Sequence, residues 1–207
     1  MTLRSISELF EQDFLGVRQE QVSLAYIIKA VHERGFGFIL FFIALPMALP
    51  IPVPPGVNIL LATPLLLLTA QQMIGRHTIW LPRRVLNKTM PREKFTKMIA
   101  ASIPWIKRLE FFIRPRLGFI TQGLFSNLIG LCGLIMALSI CVPLPLTNTV
   151  PSLGIALMGI GVVMRDGLAV LGGAIIGLAW VAALCYFALI FGTEGLDMMK
   201  EAIKSLL

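Results

Sequence analysis

Hydrophobic positions in this chain gather into long runs, and polar residues, proline and glycine separate them. The first strongly apolar run covers residues 35–49 and stops at Pro50-Ile51-Pro52-Val53-Pro54-Pro55-Gly56. A second, 57–74, returns and ends at Gly75-Arg76. Residues 117–142 form a third run, broken by Pro143-Leu144-Pro145-Leu146-Thr147-Asn148-Thr149-Val150-Pro151. The fourth, 152–164, is short and halts at Arg165-Asp166-Gly167; the last, 168–191, is long again. Runs of this length read as helices. A membrane-crossing helix needs about 20 apolar residues, so 117–142 and 168–191 suffice and 35–49 falls short. For 35–75, two thin spans with an outside turn and one re-entrant hairpin both fit. Broken backbone at membrane depth requires protein or a water-filled cavity to satisfy it.

Three further stretches show one-sided patterning. Ser5 and Glu8 have capping-box spacing, with Leu9, Phe10 and Phe14 following on one face. Leu24, Ile27, Ile28 and Val31 predict a helix over 22–34 that stops at Gly35. Over 91–113, Phe95, Met98, Ile99, Ile106, Leu109 and Phe112 oppose Lys94, Lys97, Lys107 and Arg108, as in a helix lying among headgroups. Residues 193–207 are expected to form a short amphipathic tail.

Composition turns these helices into a class. Of 207 residues, 57 % are hydrophobic and 14 % charged, and mean hydropathy is +0.84. Soluble domains carry about a quarter charged residues. The expectation is an all-α integral membrane protein with four to six membrane helices. No basic leader precedes the acidic Glu8, Glu11 and Asp13, so the amino terminus is expected to be retained.

The net charge of +7 is concentrated in residues 76–116, which hold eleven basic side chains against Glu93 and Glu110. Lys- and Arg-rich short loops stay cytoplasmic, and such a block contacts anionic lipid headgroups. Nucleic-acid binding is not expected, because the block lies between membrane segments. Glu110 precedes Arg114 by four residues, the favourable order for a structural ion pair.

The two halves echo each other weakly. Met47-Ala48-Leu49 matches Met136-Ala137-Leu138; with a two-residue gap, Pro52 and Pro54 fall on Pro143 and Pro145, and Met73 falls on Met164. Paired interrupted helices of this kind point to a transporter-like binding site. Parallel and inverted copies both remain open.

The run from Pro50 to Gly56, Gln72 with Gly75-Arg76, Trp80-Leu81-Pro82, Leu109-Glu110 with Arg114-Pro115-Arg116, Pro143-Leu144-Pro145 with Asn148 and Pro151, and Arg165-Asp166-Gly167 occur in order. Together they resemble the exopolysaccharide-synthesis protein ExoD family over about residues 20–192. The resemblance implies a multi-pass bacterial inner-membrane protein linked to exopolysaccharide production, and in rhizobia to nodule invasion. It implies no particular chemistry. Where such proteins often read Pro-Gly-Pro at the first break, this chain has Pro50-Ile51-Pro52 and delays glycine to Gly56.

Catalytic patterns are sparse. The aspartates Asp13, Asp166 and Asp197 make no close pair for a metal-bridged sugar nucleotide, and Cys132, Cys141 and Cys185 sit in apolar runs. Lys107 with Arg114-Pro115 imitates the first motif of membrane lipid phosphatases. That chemistry needs downstream histidines, and His32 and His77 lie upstream. A non-enzymatic protein without metal or cofactor is the expectation. The candidate binding residues are Gln72 and Arg76 on one helix face, Arg165 and Asp166 ending the other, Thr147 and Asn148, and the break residues Pro52, Pro54, Gly56, Pro143 and Pro145. One reading has the arginines snorkelling at the interface, with Asp166 pairing Arg165. The other has them share a cavity for an anion such as a polyprenyl-type lipid phosphate, assisted by the helix starts near Val57 and Ser152. A scaffold for other exopolysaccharide proteins is the competing class. Gly173 and Gly177 suit a homodimer or tight internal packing. The segments are therefore 1–34, 35–75, 76–116, 117–167, 168–192 and 193–207.

Overall fold

In the computed structural model the described residues are 20–23, 26, 35–49, 57–76, 78–82, 87, 89–97, 100, 103–104, 107, 115–141 and 148–206. For residues 57–58, 90 and 191–206 only the backbone is described. The breaks carrying Pro52, Pro54, Gly56, Pro143, Pro145 and Thr147 lie outside that set, as do the Ser5–Glu8 box and the Glu110–Arg114 pair.

The long helices among the described residues are α1 (Gly35–Ala48), α2 (Val57–Met73), α3 (Leu124–Ile140), α4 (Thr149–Met164) and α5 (Gly167–Leu206). Strand β1 (Gln21–Ser23) pairs antiparallel with β2 (Thr89–Pro91), with Val22 opposite Met90. Residues 22 and 23 of the helix expected over 22–34 are thus strand, and the rest of it, apart from Tyr26, lies outside the described residues. Pairing with β2 takes Val22, 1 % exposed, out of the helical pattern. Residues 92–97 are helical, and Phe95 is buried while Lys94 and Lys97 are exposed, the sidedness expected of 91–113.

Close packing joins helices distant in sequence as well as neighbours. α1 packs on α4, α2 on α3, and α4 also on α5. Small residues allow the approach: a Cβ at Gly37 of α1 would stand 2.5 Å from the Gly159 carbonyl oxygen of α4. Gly173 of α5 meets the Gly154 carbonyl at 2.6 Å from its hypothetical Cβ, and one at Gly177 would strike Met136 Sδ. The small face of α5 is thus used inside the chain. Leu40, Ala44, Leu65, Leu68, Met136, Ile155 and Met158 fill the core between these contacts.

Two run boundaries differ from the sequence pattern. The apolar run from 117 is not one helix: Gly118–Thr121 form a 3-10 turn, and Gly123, at φ 58°, precedes α3. At the other end α5 continues without a break through residue 192 to Leu206. Its stretch Gly167–Ile190 is long and apolar enough to cross a membrane. The other helices are apolar but have 14 to 17 residues. Much apolar surface faces outward, including Leu60, Leu124 and Leu189 at 72 %, 82 % and 86 % exposure.

Candidate functional site

Helices α2 and α4 end at the same end of the bundle, and they end in the same way. Gly75 N–H donates to Gln72 O at 3.0 Å and Arg76 N–H to Gln71 O at 3.1 Å. In α4, Arg165 N–H donates to Val162 O at 3.3 Å and Asp166 N–H to Gly161 O at 2.8 Å. This paired Schellman pattern needs a left-handed residue, supplied by Gly75 at φ 73° and Arg165 at φ 54°. Glycine takes that conformation freely, whereas a side-chain-bearing residue loses roughly 1–2 kcal/mol. Arg165 is thus held where glycine would be easier.

Between these ends lies a cavity of about 200 Å³. Arg76 beside Gly75 and Arg165 with Val162 line it from α2 and α4. Phe36, at the start of α1, closes one side, and Thr121, Gln122 and Gly123 lead into α3 along another. Ser126 and Asn127 complete the wall from the first turn of α3. Two helices therefore begin at the cavity and two end there. The end of α1 and start of α2, like the end of α3 and start of α4, consequently lie at the opposite end.

The electrostatics at this cavity are one-sided. Arg76 is exposed and Arg165 half-buried, and among the described residues neither guanidinium has an ion-pair or hydrogen-bond partner. The Gly123 cap leaves α3 without a side-chain acceptor, so its positive end faces the same space. Below, Gln72 is 2 % exposed; its Nε2 donates to Ser126 Oγ at 3.3 Å, while Oε1 has no partner among the described residues. Among the described residues, no three His, Cys, Asp or Glu side chains come together.

Asp166 behaves differently from either sequence reading. Its Oδ1 accepts from Leu168 N–H at 2.9 Å and Ala169 N–H at 3.3 Å, capping α5 instead of pairing with Arg165. Asn148 is also separated from the arginines. It occupies the N-cap position of α4 without a side-chain capping bond, and the helix of 16 residues puts roughly 24 Å between its ends. The helix starts near Val57 and Ser152 share that far end, so the amides facing the arginines are those of α3. At the far end Asn148 Oδ1 and Nδ2 and Ser152 Oγ are buried without partners among the described residues.

The sequence pattern passed over Gln71. Its Oε1 accepts from Trp80 N–H at 2.6 Å, and its Nε2 donates to Trp80 O at 3.0 Å. The segment after α2 is thereby folded back along the helix. A buried glutamine beside Gln72 was the available signal, though one residue turns the side chain about 100° around the helix.

Comparison with known proteins decides the family. The family model described as "Exopolysaccharide synthesis, ExoD" matches residues 6–186. The chain belongs to the ExoD family. Over 206 residues it is 34 % identical to an uncharacterized protein of Synechocystis sp., covering 97 % of this chain and 96 % of that one. It is 28 % identical over 191 residues to Protein ExoD of Rhizobium meliloti, covering 90 % and 78 %. No solved structure matches. The ExoD name carries a link to exopolysaccharide synthesis, and the chemistry must be argued from the cavity.

Proposed function

We propose that this ExoD-family protein is a non-enzymatic component of exopolysaccharide biosynthesis or export in the bacterial inner membrane. In this reading it binds the phosphate or diphosphate of an anionic, lipid-linked substrate between Arg76 and Arg165. The carrying observation is that both guanidinium-bearing helix ends line one cavity with the uncapped start of α3. Fixed positive charge, backbone N–H groups and hydroxyl and amide side chains together suit an anion. Size narrows the class. A cavity of 150 Å³ accommodates benzene, so about 200 Å³ takes one or two phosphates and excludes a whole sugar nucleotide.

Helix lengths support a membrane placement with two re-entrant hairpins and one crossing. Helices of 14 to 17 residues reach roughly 21–26 Å, below the hydrocarbon thickness of about 30 Å. Beside them α5 runs antiparallel to α4, with Gly177 level with Gly154. From there α5 has 13 further residues to Ile190, roughly 20 Å, while α4 starts about 7 Å away. The crossing thus outreaches α4. The outward leucines then face lipid, and the basic 76–116 segment orients the cavity to the cytoplasm. α5 ends on the other side, where residues 191–207 carry more acid than base.

The pairing of α1 with α4 and α2 with α3 is what a two-fold axis along the bundle generates from two hairpins. The matching left-handed ends at Gly75 and Arg165 favour parallel copies. Arg76→Ala and Arg165→Ala test the reading: membrane levels stay normal and polymer output is lost. Output that survives both changes favours a scaffold.

A further inference from the structure

Arg76 belongs to two cavities. Besides the polar one, it borders an apolar groove of about 360 Å³ on the outer side of α2. Leu67, Ala70, Met73 and Ile74 form its floor, and Trp80 its far wall. Ile74 and Trp80 are 63 % and 54 % exposed, so the groove opens outward from the bundle. The Gln71 clamp on both polar backbone groups of Trp80 fixes that wall. An unpaired cation at the junction of a polar pocket and an open hydrocarbon-lined groove is the recognition pattern of an amphiphile.

We propose that the groove holds the hydrocarbon chain of the molecule whose phosphate lies between Arg76 and Arg165. The ligand class is then a single-chain-presenting lipid phosphate or diphosphate, not a soluble anion. This rests on the anion-binding reading of the cavity and adds to it where the rest of the ligand goes. The chain enters from the membrane side past Ile74 and Trp80, and the headgroup turns inward at Arg76. No covalent step is involved.

The test uses the full-length protein in lipid nanodiscs with Trp105→Phe and Trp180→Phe, which leaves Trp80 as the single tryptophan. A lysophosphatidate with a dibromostearoyl chain is the quenching probe, and farnesyl phosphate and inorganic phosphate are the competitors. The expected result is loss of Trp80 fluorescence, reversed by farnesyl phosphate at a concentration at least about tenfold lower than by phosphate, because chain burial adds affinity. Ala70→Phe, which fills the groove, removes the chain advantage and leaves phosphate binding intact. Absence of quenching while calorimetry still detects inorganic phosphate binding, or reversal by phosphate and farnesyl phosphate at equal concentrations, overturns the groove and spares the cavity. Quenching that persists in Arg76→Ala/Arg165→Ala overturns the linked site. Phosphate binding by calorimetry that is unchanged in those variants overturns the cavity reading itself.

Discussion

Gln71 grips Trp80 by both ends of its amide, accepting the backbone N–H at 2.6 Å and donating to the carbonyl at 3.0 Å. The glutamine is 6 % exposed, so losing either bond strands a backbone group near apolar surface. At about 1 kcal/mol net per bond, Gln71→Met lowers stability by about 2 kcal/mol. Thermal unfolding of the purified protein should show a midpoint roughly 4–8 °C lower. Gln72→Met, which loses one 3.3 Å bond and one unpartnered oxygen, should change it much less.

Arg165 separates conformation from charge. Its left-handed backbone predicts that Arg165→Gly gains roughly 1 kcal/mol of stability while abolishing anion binding. Arg165→Ala keeps the backbone cost and loses binding equally. A raised unfolding midpoint in the glycine variant, together with lost ligand, checks both halves; an unchanged affinity in both contradicts the binding role.

Ser152 is fully buried, and its hydroxyl has no partner among the described residues. An unpaired buried hydroxyl costs about 1–3 kcal/mol, so Ser152→Ala should stabilise the protein. A lower midpoint in that variant would mean that the hydroxyl binds something at the hairpin ends.

Close helix crossings make a sharper contrast. Around Gly172 nothing lies within 4 Å of a hypothetical Cβ, whereas Gly173 meets Gly154 O at 2.6 Å. Gly172→Ala should gain roughly 0.8–1.0 kcal/mol from helix propensity. Gly173→Leu should prevent α4 and α5 from packing, seen as loss of folded protein after detergent extraction.

How far the sequence revealed this arrangement depends on the residue. The helix boundaries at Gly75 and Arg165 were legible because left-handed stops follow apolar runs, and the arginines stood out because charge beside such runs is costly. Their meeting was not legible, because parallel and inverted copies were both open; it rests on α2 and α4 ending at one cavity. Helix length separates Asn148 from them, since a helix that ends at Arg165 must begin a full length away. Pairing of Val22 with Met90 is a long-range contact, hidden by the helical spacing of Leu24, Ile27 and Ile28. Pairing of Asp166 with Arg165, suggested by their adjacency, gives way to the free N–H groups of α5, which donate to the Asp166 carboxylate. Gln71 carried no signal of this contact in the sequence, because its partner Trp80 reaches it only once the segment after α2 folds back along the helix.

The measurement that bears most directly on the central claim is native mass spectrometry of the protein released from gentle detergent. The account predicts a stoichiometric lipid phosphate or diphosphate on the wild-type chain, lost in both Arg76→Ala and Arg165→Ala. A wild-type chain free of lipid phosphate, or one whose bound lipid is retained in both variants, would contradict it.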